Sequence, residues 1–86
     1  MTVPTILYFA WVRDMIGTAE ESADPPADVT TVGALAAWLA GRSEGHRAAL
    51  ADLTRIRAAV DQQFADLDAS IEGAREIAFF PPVTGG

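Results

Sequence analysis

Two strand-like runs stand near opposite ends of this chain with a helical pattern between them, and that arrangement restricts the fold more than any other feature. The run TILYFAWV, Thr5 to Val12, is short and rich in aromatic and branched side chains, so it reads as a strand. The run REIAFF reads the same way and is ended by Pro81 and Pro82, which have no amide donor to continue a ladder. Between them, Val32, Leu35, Trp38 and Leu39 recur at three and four, the spacing of a helix with one buried stripe. Thr31 is placed to cap that helix and Gly41 to end it.

The remaining segments fill in the order. Gly17 supplies a turn after the first strand, and AEESA, stopped by Pro25 and Pro26, reads as a short edge strand. EGHRAALADL reads as a connecting segment with room for one helical stretch, pinned by Leu50 and Leu53. RIRAAV is a third strand with Ile56, Ala58 and Val60 on one face and Arg57 and Ala59 on the other. The polar DQQ then turns into a short return segment containing Phe64 and Leu67. Strand, strand, helix, connection, strand, short strand, strand is the order of an α+β, β-grasp (ubiquitin-like) domain. It implies a mixed sheet of four to five strands, one main helix on one face, and the first and last strands side by side in the middle. The expected organisation is a domain over 1–82 and a flexible C-terminal Gly-Gly tail over 83–86.

Composition excludes several functions. A net charge of −6, with only six scattered arginines and no lysine, argues against nucleic acid or an anionic membrane as a partner. With no cysteine there is no disulfide, thiolate nucleophile or cysteine metal site, and the one histidine, His46, reads as an ordinary surface or half-buried residue. No apolar run reaches membrane-span length and no signal-peptide pattern is present, so the expected location is the cytoplasm. Glu20, Glu21 and Asp24 read as solvated surface, and no carboxylate pair signals acid–base catalysis.

The aromatic–Pro–Pro–x–x–Gly–Gly stretch FFPPVTGG on this strand order resembles the sulfur-carrier small subunit of molybdopterin synthase, the MoaD-like family. LYFAWVRDMIGT resembles that family's first strand and turn, TVGAL its helix start and AAVDQ its third strand, although Asp61 stands where the family often has Asn. The resemblance implies a non-catalytic carrier with no bound cofactor. Its terminal glycine, Gly86, is adenylated by a ubiquitin-activating-like enzyme that uses ATP, and it then carries sulfur as a thiocarboxylate. The implied partners are that adenylating enzyme, a sulfur donor protein and the large subunit of a heterotetrameric synthase, which passes the sulfur to a cyclic pterin precursor in molybdenum cofactor synthesis.

The residues fit such chemistry on their own terms. Gly86 has no Cβ to obstruct attack at its carbonyl, and Gly85 and Gly86 make a thread narrow enough for a deep site. Pro81 and Pro82 stiffen the base of the tail, and Val83 and Thr84 complete its length. The first strand is apolar on both faces, with Leu7, Phe9 and Trp11 alternating with Ile6, Tyr8, Ala10 and Val12, and one helix covers only one face. By resemblance, Phe9, Phe64 and Phe80 contact the large subunit and the activating enzyme. Trp11 is expected to share the face of Phe9, and Arg13 is either solvated or paired with a partner carboxylate. Three alternatives remain open at this point: a sulfur carrier for thiazole or another thio-compound, a ubiquitin-like protein modifier, and a binding module with an inert tail.

Overall fold

The computed structural model describes residues 3–82; Val83, Thr84, Gly85 and Gly86, and with them the expected flexible tail, lie outside the described residues. Five strands, three α-helices and one 3-10 turn follow in the order β1 (Thr5–Tyr8), α1 (Ala10–Ile16), β2 (Glu20–Ser22), α2 (Val32–Ala40), α3 (Glu44–Leu50), the 3-10 turn Leu53–Arg55, β3 (Arg57–Val60), β4 (Gln63–Ala65) and β5 (Glu76–Phe80). The sheet order is β2-β1-β5-β3-β4. Parallel β1 and β5 sit at its centre and the other pairs are antiparallel, which makes the sheet mixed, as the sequence order implies. The edge strands β2 and β4 have three residues each, and β2 carries two glutamates, both devices that blunt an open edge.

The first strand is shorter than the sequence suggests. β1 ends at Tyr8, Phe9 donates its amide to Phe79 O at 3.2 Å, and Ala10 takes φ 53°, turning the chain out of the sheet and into α1. A non-glycine residue there costs on the order of 1 kcal/mol. Helical spacing of Trp11, Val12, Met15 and Ile16 repays it with one fully buried side chain, Val12, and two half-buried ones, Trp11 and Ile16. Gly17, at φ 97°, closes the helix by donating to Arg13 O at 2.8 Å.

The longest helix, α2, is the expected one. Thr31 Oγ1 accepts from the Ala34 amide at 3.1 Å, and Val32, Leu35, Ala36 and Leu39 are buried. The connecting segment contains a second capped helix, α3, whose N-cap Ser43 accepts from the His46 amide at 3.1 Å. A Cβ at Gly45 would collide with the backbone carbonyl of Met15, so glycine is what lets α3 lie close against α1. All three helices share one core with Ile6 and Tyr8 of β1, Ala58 of β3, and Ile77 and Phe79 of β5, so they cover one face of the sheet.

Two residues join β3 to β4. Asp61 (φ 49°) and Gln62 (φ 71°) both take the left-handed conformations that a two-residue hairpin requires. Asp61 Oδ1 also accepts from the amides of Arg75 and Glu76 at 2.9 and 3.0 Å, tying the hairpin to the start of β5. Leu67, expected in the return segment, lies beyond β4 and accepts from Gly33 N at 2.7 Å.

Glu21, expected as solvated surface, is half-buried, and His46, expected at the surface or half-buried, is more deeply placed than that. His46 is buried, and its Nε2 lies 2.6 Å from Glu21 Oε2, while Tyr8 donates its hydroxyl to the same oxygen at 2.6 Å. A carboxylate only accepts, so Nε2 carries a proton. His46 Nδ1 lies 2.7 Å from Ser43 Oγ, and Arg42 approaches Glu21 Oε1 at 3.5 Å. The node joins β1, β2 and α3. Burial, the largest single influence, pushes the Tyr8 hydroxyl well above its ordinary value, and Glu21 adds to that. At Glu21 burial alone would act upward, but the hydrogen bonds from His46 and Tyr8 and the charges of His46 and Arg42 outweigh it and hold the carboxyl below its usual range. A carboxyl depressed in the folded state stabilises the fold above its unfolded value and loses that contribution as pH falls through the folded value. The stability advantage of the wild type over Glu21→Gln is therefore expected to be full at pH 7 and to shrink on acidification below about pH 4.5, the ordinary glutamate value. Denaturant unfolding of both proteins across that range checks it, and a constant difference would contradict it.

Candidate docking face and tail base

With the helices on one side, the alternate residues of every strand point to the other. Register places them in rows. Leu7, Ala78, Ala59 and Phe64 form an apolar row straight across β1, β5, β3 and β4. Phe80 and Arg57 pair one step towards the C-terminal end of β5, with Phe9 beside them at the end of β1. Thr5 and Glu76 pair at the opposite end.

This face is uncovered. Phe64 is 81% exposed and Phe9 47%, while Phe80 is half-buried. The Phe64 and Phe80 rings lie 5.9 Å apart and tilted by 55°, an aromatic pair that holds both rings at the edge from which the chain leaves the sheet. Phe9, Leu7, Ala78 and the aromatic pair enclose a shallow depression of about 570 Å³. A second groove, of about 410 Å³, runs alongside between Arg57, Phe64, Phe80 and Pro82. Pro81 and Pro82, both half-buried, carry the chain off β5 at this point. Solvent-facing aromatics grouped on one face and flanking one exit point are the composition of a recognition surface.

The site residues expected from sequence separate into two places. Phe9, Phe64, Phe80, Pro81 and Pro82 come together on the open face and its edge. Trp11 does not share the face of Phe9, because the chain has already turned into α1. Its half-buried ring packs on the helical side beneath the guanidinium of Arg55, 5.1 Å from the ring centroid. Arg13 is exposed on the same helix, with its Nε 3.6 Å from Asp14 Oδ1. Gly86, Gly85, Thr84 and Val83 lie outside the described residues. Among the described residues there is no cluster of His, Asp and Glu able to hold a metal ion, and no helix is long and apolar enough to cross a membrane.

Parallel first and last strands at the sheet centre, helices packed on one face and an aromatic face left open beside the last strand define a ubiquitin-like β-grasp domain. The chain belongs to the ThiS family, whose model matches residues 6–86. It is 41% identical over 81 residues to the molybdopterin synthase sulfur carrier subunit of Escherichia coli, an alignment covering 94% of this chain and 96% of that protein. The protein of the same name from Haemophilus influenzae is 33% identical with the same coverage. Among solved structures, that of SAMP1 from Haloferax volcanii is similar with a TM-score of 0.71 and 25% identity, over 95% of this chain and 97% of that one.

Proposed function

We propose that this chain is the sulfur-carrier subunit of a cytoplasmic molybdopterin synthase and that its chemistry resides on the main-chain carboxylate of Gly86. The observation that carries the reading is the near-full-length similarity to sulfur carrier subunits of that enzyme. An adenylating enzyme of the ubiquitin-activating type joins the Gly86 carboxylate to AMP from ATP, with loss of pyrophosphate. Sulfide-level sulfur released by a donor protein then attacks the acyl carbon, forming a C–S bond as the C–O bond to AMP breaks, and leaves a thiocarboxylate and free AMP. The large subunit receives the loaded tail, supplies the active-site residues and passes the sulfur to the cyclic pterin precursor. The carrier itself binds no cofactor.

On this reading each part of the chain has a separable task. The core holds β5 rigid, Pro81 and Pro82 set the direction of departure, and residues 83–86 span from the domain to the reacting carbon. The open face, through Phe9, Phe64 and Phe80, grips whichever enzyme receives the tail. Trp11 and Arg13, away from that face on α1, are available for a second contact with a large partner. No lysine of this chain is present to capture its own activated terminus. Calorimetric titration of the purified chain into a large subunit of molybdopterin synthase tests the reading. A saturable one-to-one interaction per carrier is expected, and no detectable binding would overturn the assignment.

A further inference from the structure

The open face is apolar at its centre, with Arg57 at the tail end and Glu76 at the opposite end of β5, while Glu20, paired with Leu7, borders it along the edge strand β2. Arg57 stands opposite Phe80, at the tail end, and Glu76 stands four residues back along the same strand β5. A rise of about 3.3 Å per residue separates the two positions by about 13 Å. Arg57 is exposed, and its guanidinium is steadied by donating to the carbonyls of Thr54 and Ile56 at 3.3 and 3.1 Å. Glu76 is half-buried beside Ala78 and Phe80 at the rim of the depression. Neither side chain forms a salt bridge among the described residues, although Asp66 borders the same groove as Arg57.

A partner that closes over this face removes water from both charges, and a desolvated charge left unpaired opposes binding strongly. We propose that Arg57 and Glu76 are specificity-determining residues that fix the orientation of the docked partner. The complementary protein surface presents a carboxylate opposite Arg57 at the tail end and a cationic side chain opposite Glu76, about 13 Å apart across an apolar patch. A partner rotated by half a turn meets like charges at both ends, so only the orientation that directs the tail into its active site is stable. A second copy of this chain is a poorer occupant, since each copy brings a net charge of −6. This inference rests on the docking reading above and adds to it the direction of docking.

The test is titration of the full-length chain and its variants into the purified large subunit of molybdopterin synthase, with circular dichroism of each variant. Arg57→Glu and Glu76→Arg are each expected to weaken binding by about tenfold or more, and Arg57→Gln by less. Affinity of the wild type should also fall more steeply with added salt than that of Arg57→Gln, a comparison that remains decisive if Arg57→Glu fails to fold. Wild-type affinity in both charge variants, alongside weakened binding by Phe64→Ala, would overturn the orientation proposal and leave the docking reading intact. No binding by the wild type would overturn both. Charge variants that alter self-association in sedimentation equilibrium, but not affinity for the large subunit, would assign the face to a second copy and overturn the proposal as well.

Discussion

A chain lacking Gly86, or carrying one alanine after it, is expected to lose sulfur transfer entirely while unfolding at the same temperature as the wild type. An added residue turns the Gly86 carboxylate into an amide carbonyl, whose neutral oxygen is too weak a nucleophile to attack ATP, and it moves the new carboxylate one residue further from the domain. Removing Gly86 shortens the reach by about 3.3–3.6 Å, and a displacement of even 1 Å at a reacting centre costs on the order of a hundredfold in rate. Stability is expected to stay because the buried core of the described residues ends at Phe79. Both variants are measured in a reconstituted sulfur-transfer assay beside a thermal melt. Full transfer by the alanine-extended chain, without trimming, would show that the terminal carboxylate is not the reacting group.

Phe79 and Phe80 are neighbours with opposite expected phenotypes. Phe79 is fully buried, and its ring stacks at 6.5 Å from that of Tyr8 in the centre of the core. Phe79→Ala leaves a cavity and is expected to cost about 3–5 kcal/mol of folding free energy. That is a large share of the roughly 5–15 kcal/mol typical of a whole domain. Phe80 and its ring partner Phe64 stand on the open face. Phe80→Ala or Phe64→Ala is expected to cost little stability and to weaken binding to the large subunit and the adenylating enzyme by about 1.5–3 kcal/mol, one to two decades in affinity. Phe9→Ala belongs with them. Denaturant unfolding and calorimetric titration of each variant separate the two effects. Large stability losses at Phe64 or Phe80 with unchanged affinity per folded molecule would contradict the assignment of faces.

The parts of this fold legible in the sequence are those set by local pattern. β5 and its stop at Pro81, the spacing of Val32, Leu35 and Leu39 in α2, and the alternation of Ile56, Ala58 and Val60 each follow from a period and a punctuating residue. Within β1 itself, Leu7 opposite Ile6 and Tyr8 is the sign that the sheet has a second apolar face, and Phe9 extends it. The turn at Phe9 and Ala10 was not legible, because TILYFAWV is one unbroken apolar run and periodicity cannot say where a strand gives way to a helix within it. Trp11, beyond that turn, follows the helix and lies on its side of the sheet. The start of α3 has a local sign in Ser43, three residues before His46, which is a capping position. The Glu21 node left none. Its contacts join residues 13 and 25 positions apart, and only the packing of β2 beside β1 and under α3 brings them together.

The central claim, that Gly86 carries sulfur on its main-chain carboxylate, is tested most directly by intact-mass analysis of the chain purified from its own cells. The account predicts a fraction of molecules heavier by the exchange of one oxygen for sulfur, with the added mass confined to the C-terminal peptide and lost on incubation with the large subunit and its pterin precursor. A chain that carries only the unmodified carboxylate in cells actively making molybdenum cofactor, or whose added sulfur maps anywhere but Gly86, would contradict it.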